Sequence, residues 1–406
     1  MGRPLSAVEE FVARTGTPVV LGATIHGPLD TDALAQAVQR LSDHHPVLTH
    51  RITRKGNRHH LTPAADQPPP HLRHTDEPVD TPFAPGDPLL RATLTPHPDG
   101  THRLVLALHH AISDGVSALS VISSLWRTYT ALVTGTPEPA RPPTEEPLPA
   151  TDDLLAERHP PLAVAAWLAK QAVHMALHRA ARLPSHPASP SEPGVHLHTT
   201  ELTTAQAHRL YRTAREHGTT PNALLCAIIL LAARTQFTTS DRPSRLSLGV
   251  TVDLRRCVAM PSHHLVTATS FVPVTARVAP EHTATALAAS IDRQFTRARA
   301  TAHAERQAVA LRYLLHAPTP IPYTMMLTNM ATHPFRPTLP PDLHLTDAFG
   351  YAPPPGPLPA VFITRADGAL ALHLATPRAW FTADQATRLA DALTRQLTTV
   401  LADTRR

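Results

Sequence analysis

Lysine is almost missing from this chain: Lys55 and Lys170 are the only two among 406 residues. Nearly all positive charge is arginine, and together with the richness in Ala, Pro, Thr and Arg this reflects a GC-rich genome more than a physical demand. The formal net charge is +5 and dense Lys/Arg runs are absent, which argues against nucleic acid as a partner. A modest positive charge still favours acidic surfaces and phosphate-bearing ligands. Cysteine is equally scarce. Cys226 and Cys257 stand far apart and form no C-x-x-C pair, which argues against a disulfide framework or a thiolate zinc site and fits a reducing cytoplasm. Long apolar runs are lacking too. The longest, Ala223 to Ala233, falls short of the roughly 20 residues that span a bilayer. The start, Met1-Gly2-Arg3-Pro4, has no signal-peptide core. The expected setting is the cytoplasm, with no transmembrane segment.

What is present is an ordinary globular composition, 42% apolar and 17% charged, with enough length for two domains. The 44 prolines mark the breaks. Residues 136–150 and 184–194 read as linkers, and the second sets the expected boundary between a first lobe, 1–183, and a second, 184–406. Between them, 162–183 reads as an amphipathic helix with Lys170, Arg179 and Arg182. It either packs on the surface or docks a lipid or carrier protein. Strands are expected at 19–25, 47–54, 89–95, 102–110, 195–202, 246–253, 269–278 and 323–329, and a hairpin over 360–375. Asp347 to Tyr351 reads as loop. Helices are expected at 5–15, from a cap within Leu29–Asp32 to a stop at His45-Pro46, after the His motif as far as Gly135, at 203–218, at 222–236 (apolar nearly all round, hence buried), at 281–303 and at 382–401. Strands mixed with flanking helices in both halves give an α/β or α+β class.

The richest stretch is Leu104-Val105-Leu106-Ala107-Leu108-His109-His110-Ala111-Ile112-Ser113-Asp114-Gly115. Alternation along a strand puts His110 on the face of Leu104, Leu106 and Leu108, and His109 on that of Val105 and Ala107. Both faces are apolar, so the strand is interior and delivers a polar group to an enclosed place, where an idle imidazole is expensive. A buried imidazole is neutral near pH 7 and can take a proton from an attacking hydroxyl or amine. That suffices where the acyl donor is already activated, as a thioester is. G-x-S-x-G and H-E-x-x-H are both absent, which removes the commonest hydrolase readings. Histidine doublets recur at 44–45, 59–60 and 263–264, so a doublet alone carries little; the buried strand before and the Asp-Gly helix start after set this one apart. A metal held by His109, His110 and Asp114 is disfavoured because adjacent strand residues point to opposite faces. Asp114 either orients the imidazole or pairs structurally. Its best distant partner is Arg255, at the end of the apolar strand Thr251-Val252-Asp253-Leu254.

His-His-x-x-x-Asp-Gly, from His109 to Gly115, resembles the signature of the superfamily that holds peptide-synthetase condensation domains, chloramphenicol acetyltransferase and the BAHD acyltransferases. Leu5 to Phe11, His44 to Leu48, Thr220 to Leu225, Val252 to Arg255 and Leu327 to Asn329 resemble its phthiocerol dimycocerosyl transferase branch. Asp347-Ala348-Phe349-Gly350 is a looser echo of the BAHD D-F-G-W-G loop. The resemblance implies two similar chloramphenicol-acetyltransferase-like lobes with a tunnel between them, His110 at its midpoint as catalytic base, and His109, Asp114 and Gly115 structural, with Arg255 as the partner of Asp114. It places Asn329 beside the tunnel, where it would either bind the oxyanion or only close a strand end. It also implies an acyltransferase without metal or redox cofactor, taking its acyl group from coenzyme A or from the phosphopantetheine of an acyl carrier protein or synthase carrier domain, with an alcohol or amine as acceptor. A free-standing amide-forming condensation enzyme and a catalytically silent docking module are the alternatives.

Overall fold

The computed structural model describes all residues except 1, 65, 67, 76–78, 139–147, 178, 187–193, 238–243, 315–321 and 403–406. The chain forms two compact units: one of Met1–Glu157, Arg255–Ala268 and His333–Ala352, the other of Arg158–Leu254, Thr269–Thr332 and Pro353–Arg406. In chain order the first unit supplies β1 (Arg3–Pro4), α1 (Ala7–Ala13), β2 (Pro18–His26), α2 (Thr31–His44), β3 (His50–Lys55), β4 (Arg58–Pro63), β5 (Leu72–Arg73), β6 (Leu90–Pro96), β7 (His102–His109), α3 (Gly115–Thr134) and α4 (Thr151–Ala156). The second supplies α5 (Pro161–Leu177), β8 (Val195–Leu202), α6 (Thr204–Glu216), α7 (Pro221–Arg234), β9 (Ser244–Asp253), β10 (Thr269–Val278), α8 (Ala284–Ala300), α9 (His303–Leu314) and β11 (Met325–Asn329). β12 (His344–Tyr351) returns to the first unit, and β13 (Ala360–Ala366), β14 (Ala369–Pro377) and α10 (Ala383–Ala402) complete the second. The mixed α/β class is thus realised in both units.

In the first unit a five-stranded sheet runs β12-β2-β7-β6-β5, and a small sheet β1-β4-β3 stands apart from it in pairing. β7 is central, with Leu106 opposite Leu21 on β2 and opposite Ala92 on β6. Leu104, Leu106 and Leu108 are buried to 1% exposure or less, as two apolar faces require. Helix α3 lays Ala118, Val121, Ile122, Leu125 and Trp126 into this core, and Gly135 ends it in a left-handed conformation at φ 68°, which a residue with a side chain resists. Against α3 lies α2, where Tyr129 Oη accepts the Asp30 N–H at 3.1 Å and Trp126 meets Tyr129 edge to face at 5.7 Å.

The chain from Asp347 to Tyr351 departs from the expected loop. It pairs antiparallel with β2 as the edge strand, with an irregularity between Thr346 and Phe349. Asp347 takes a positive φ of 48° there, which breaks the alternation that would have announced a strand. Phe349 then lies over Gly22, where a Cβ would collide with its ring.

The second unit holds a six-stranded sheet, β10-β9-β11-β13-β14-β8, with β11 parallel to both neighbours. Its centre is α7, whose residues from Ala223 to Arg234 are all buried. Cys226 sits among them, and burial pushes its thiol pKa up, the state of an inert packing residue. The division between units falls at Glu157, ahead of the proline-rich run that set the expected boundary at 183–184, because α5 packs on α9 of the second unit. The first linker lies mostly outside the described residues, as does the middle of the second. Two segments from the sequence's second half, Arg255–Ala268 and His333–Ala352, are built into the first unit, a discontinuity that linker composition cannot signal.

Candidate active site

β7 ends at His109, and the chain turns through His110, Ala111, Ile112 and Ser113 before α3 begins at Gly115. The turn is fastened at both ends by backbone bonds: His109 N–H to the Leu89 carbonyl (2.9 Å), His110 N–H to the Thr17 carbonyl (3.0 Å) and Ile112 N–H to the His109 carbonyl (3.1 Å). The two histidines leave it in opposite chemical states. His109 is buried at 3% exposure, and its Nδ1 accepts the Ala111 N–H at 3.0 Å, which fixes the proton of the neutral ring on Nε2. Its ring stands 5.2 Å from Phe83, itself covered by the Arg91 guanidinium. Burial, aided by the charges of His110, His59 and Arg91, pushes its pKa down to about 3.

His110 has the reverse arrangement. Its Nδ1 lies 2.7 Å from the Ser113 carbonyl, an atom that can only accept, so Nδ1 carries the proton and Nε2 carries the lone pair. Burial lowers its pKa below the ordinary imidazole value, opposed in part by the Asp114 charge and the Ser113 carbonyl. A neutral imidazole with its tautomer set from behind is the form a general base needs.

Asp114 is spent on structure. It is the N-cap of α3, its Oδ1 accepting the Ser117 N–H at 3.0 Å, and its Oδ2 accepts the Ala268 N–H at 2.9 Å. Arg255 grips both oxygens from the far side, its two terminal nitrogens at 2.8 Å from Oδ2 and 2.8 Å from Oδ1. Burial alone would raise the carboxyl pKa. The Arg255 charge and hydrogen bonds, with the Ser117 and Ala268 N–H groups, hold it below the usual carboxylate range instead. Both partners are buried to 2% or less, the setting in which removing one side leaves an uncompensated charge.

The structure therefore brings together His109, His110, Asp114, Gly115 and Arg255 in the first unit. Asn329 lies in the second, at the end of β11, where its Nδ2 donates to Asn222 Oδ1 at 3.0 Å and its Oδ1 accepts the Ala331 N–H at 3.0 Å. Those bonds are of the kind that close a strand end. Ser117 and Thr267 belong to the turn as well. The Ser117 hydroxyl bonds Arg255 (2.7 Å) and the His264 and Val266 carbonyls (3.0 and 2.9 Å). Thr267 Oγ1 donates to the His110 carbonyl, which braces the turn at that histidine. A serine three places after an N-cap aspartate, on an apolar helix face, is a readable signal for Ser117; Thr267 carries none. Among the described residues no group of three or more His, Cys, Asp or Glu side chains could hold a metal ion.

Comparison with known proteins bears on this geometry. Residues 191–374 match the family model for the phthiocerol/phthiodiolone dimycocerosyl transferase C-terminus. A phthiocerol/phthiodiolone dimycocerosyl transferase of Mycobacterium ulcerans is 28% identical over 85% of this chain and 84% of its own. Its Mycobacterium leprae namesake is 28% identical over 64% of each. Among solved structures, polyketide synthase associated protein 5 from Mycobacterium tuberculosis superposes with a TM-score of 0.80 at 23% identity, covering 99% of this chain and 98% of that one. The first condensation domain of the CDA synthetase gives 0.74 at 18%, covering 99% and 97%. The trichothecene 15-O-acetyltransferase of Fusarium sporotrichioides gives 0.71 at 12%, covering 98% and 95%. The chain shares its fold with these three structures.

Proposed function

We propose, from a chain with the condensation-type fold and with dimycocerosyl transferases among its relatives, that it is an acyltransferase in which His110 Nε2 is the general base. It moves an acyl group from a coenzyme A or carrier-protein thioester to a hydroxyl or amine, in secondary-metabolite or complex-lipid assembly. The observation that carries this reading is the Nδ1–H contact to the Ser113 carbonyl, which leaves the lone pair of a neutral ring on Nε2. In the reaction, the acceptor O–H or N–H gives its proton to Nε2 as its heteroatom attacks the thioester carbonyl. The tetrahedral intermediate then expels the sulfur, which recovers the proton from the imidazolium and leaves as a thiol. Base assistance of this kind contributes about 10²–10⁴-fold, and positioning of the two substrates adds to it. The donor is already activated, so the step calls for neither metal nor redox cofactor.

Asp114, Arg255 and Gly115 hold the turn; Asn329 closes a strand end and takes no part in the proton transfer. A carrier domain is the natural macromolecular donor, since the relatives include a polyketide synthase associated protein and a synthetase condensation domain. The reaction is placed in the cytoplasm. The test is direct: purified protein is given acyl-coenzyme A of graded chain length with a primary alcohol or a primary amine, and thiol release and product are followed. Acceptor-dependent thiol release with ester or amide formation is expected. Amide formed only when both substrates are carrier-bound would move the reading to a condensation-type enzyme. A chain inert with every donor that nevertheless retains a carrier protein would contradict it in favour of a docking module.

A further inference from the structure

Helix α5 is apolar on two opposite sides, and the described residues cover only one of them. Val164 and Trp167 are buried against α9, where Trp167 meets His303 edge to face at 4.9 Å; at the helix entrance His159 Nε2 lies 3.0 Å from Glu305. At about 100° per residue, Leu162, Ala166, Ala169, Val173 and Leu177 fall within about 80° of one another, on the side away from Val164 and Trp167. Leu162 is 86% exposed, Val173 59% and Leu177 72%. A helix hydrophobic all round is normally a buried helix, so this stripe, about 22 Å long at 1.5 Å per residue, is an exposed apolar surface that asks for an occupant.

Its chemistry selects that occupant. The stripe holds only Leu, Ala and Val, with no hydrogen-bonding group and no aromatic or arginine anchor of the kind that gives protein interfaces their energy. Lys170 borders it, and Arg179 and Arg182 follow its C-terminal end; all three are exposed. Between Glu157 and Glu192 the sequence contains no carboxylate at all. Aliphatic side chains in a straight row flanked only by cations match the boundary between acyl chains and anionic headgroups. We infer that α5 docks this protein onto an anionic lipid surface, lying in the interface without crossing it. Among the described residues no helix is long and apolar enough to cross a membrane. The inference rests on α5 alone and is independent of the acyl-transfer chemistry.

The test uses the full chain and sedimentation with vesicles of phosphatidylcholine alone or mixed with equal phosphatidylglycerol. Wild type is expected to bind the mixed vesicles at least about ten-fold better than the neutral ones. Val173→Glu with Leu177→Glu should lower that binding about ten-fold, and Lys170→Glu with Arg179→Glu and Arg182→Glu should erase the preference for anionic lipid. Circular dichroism monitors the fold, and the single exposed change Val173→Gln serves if the double variant unfolds. Absence of binding by wild type, or equal binding by all variants, overturns the inference. So does a concentration-dependent dimer, or retention of a purified acyl carrier protein, that depends on Val173 while vesicles are ignored.

Discussion

Helix α3 in the first unit and helix α7 in the second both begin with a side-chain cap, next to residues that the sequence singles out. At α3 the cap is Asp114, a buried carboxylate gripped by Arg255 and by two backbone N–H groups. At α7 it is Thr220, whose Oγ1 accepts the Ala223 N–H at 3.3 Å and donates to Asp292 at 2.6 Å, with Pro221 following. The residue after that proline, Asn222, meets Asn329 through neutral amides. Both ends satisfy the unpaired N–H groups of a helix start. Only the first does so with a full charge taken out of water, and only the first has an imidazole four residues before the cap. A neutral cap is sufficient to start a helix. The buried ion pair at α3 does something more: it fixes the path of Ser113, whose carbonyl sets the His110 tautomer.

The comparison breaks first at Arg255. Arg255→Ala is expected to cost about 3–5 kcal/mol of folding stability and to lower acyl transfer with it, read by urea unfolding and turnover on the same preparation. Asp114→Asn with Arg255→Met should cost less than the sum of the single changes. Normal folding and full turnover in Arg255→Ala would reduce the pair to ornament.

Acidification separates the turn from the rest more gently. The unfolded chain protonates His109 as pH falls below about 6.5, whereas the folded ring resists protonation down to about 3. The unfolded state therefore binds more protons through that window, and stability is full above about pH 6.5 and lost as pH falls. Between pH 7 and pH 5 wild type should lose about 2 kcal/mol more than His109→Asn, whose side-chain oxygen can still accept the Ala111 N–H. Parallel pH–stability curves for the two proteins would contradict the state assigned to His109. The smallest effect belongs to the α7 end: Asn329→Ala should cost about 1 kcal/mol for the lost bonds and leave turnover unchanged. A large loss of turnover at normal stability would make Asn329 an oxyanion donor.

Local pattern carried much of this into the sequence. Alternating apolar residues from Leu104 to Leu108, an Asp-Gly helix start and a charge at the end of an apolar strand were enough to single out His110, Asp114 and Arg255. Other features were illegible for physical reasons. That residues 255–268 are built into the first unit depends on Leu265 joining that core, which no local propensity encodes. β12 is hidden by Asp347 at positive φ, which puts two residues out of alternation. Thr267 matters through contacts with His110 and Ser113, 157 and 154 positions away. The partner of the Asn329 amide, Asn222, lies 107 positions away, beyond any local pattern. The exposed stripe on α5 was legible as amphipathic, but not as two-sided until α9 covered one face.

The central claim is that His110 does chemistry and its neighbours hold it in place. His110→Ala removes the imidazole while leaving the Asp114–Arg255 pair intact. With acyl-coenzyme A and the preferred acceptor, corrected for background transfer, the variant should retain the wild-type melting temperature within a few degrees and lose about 10²–10⁴-fold in kcat. Equal turnover at equal stability would contradict the account.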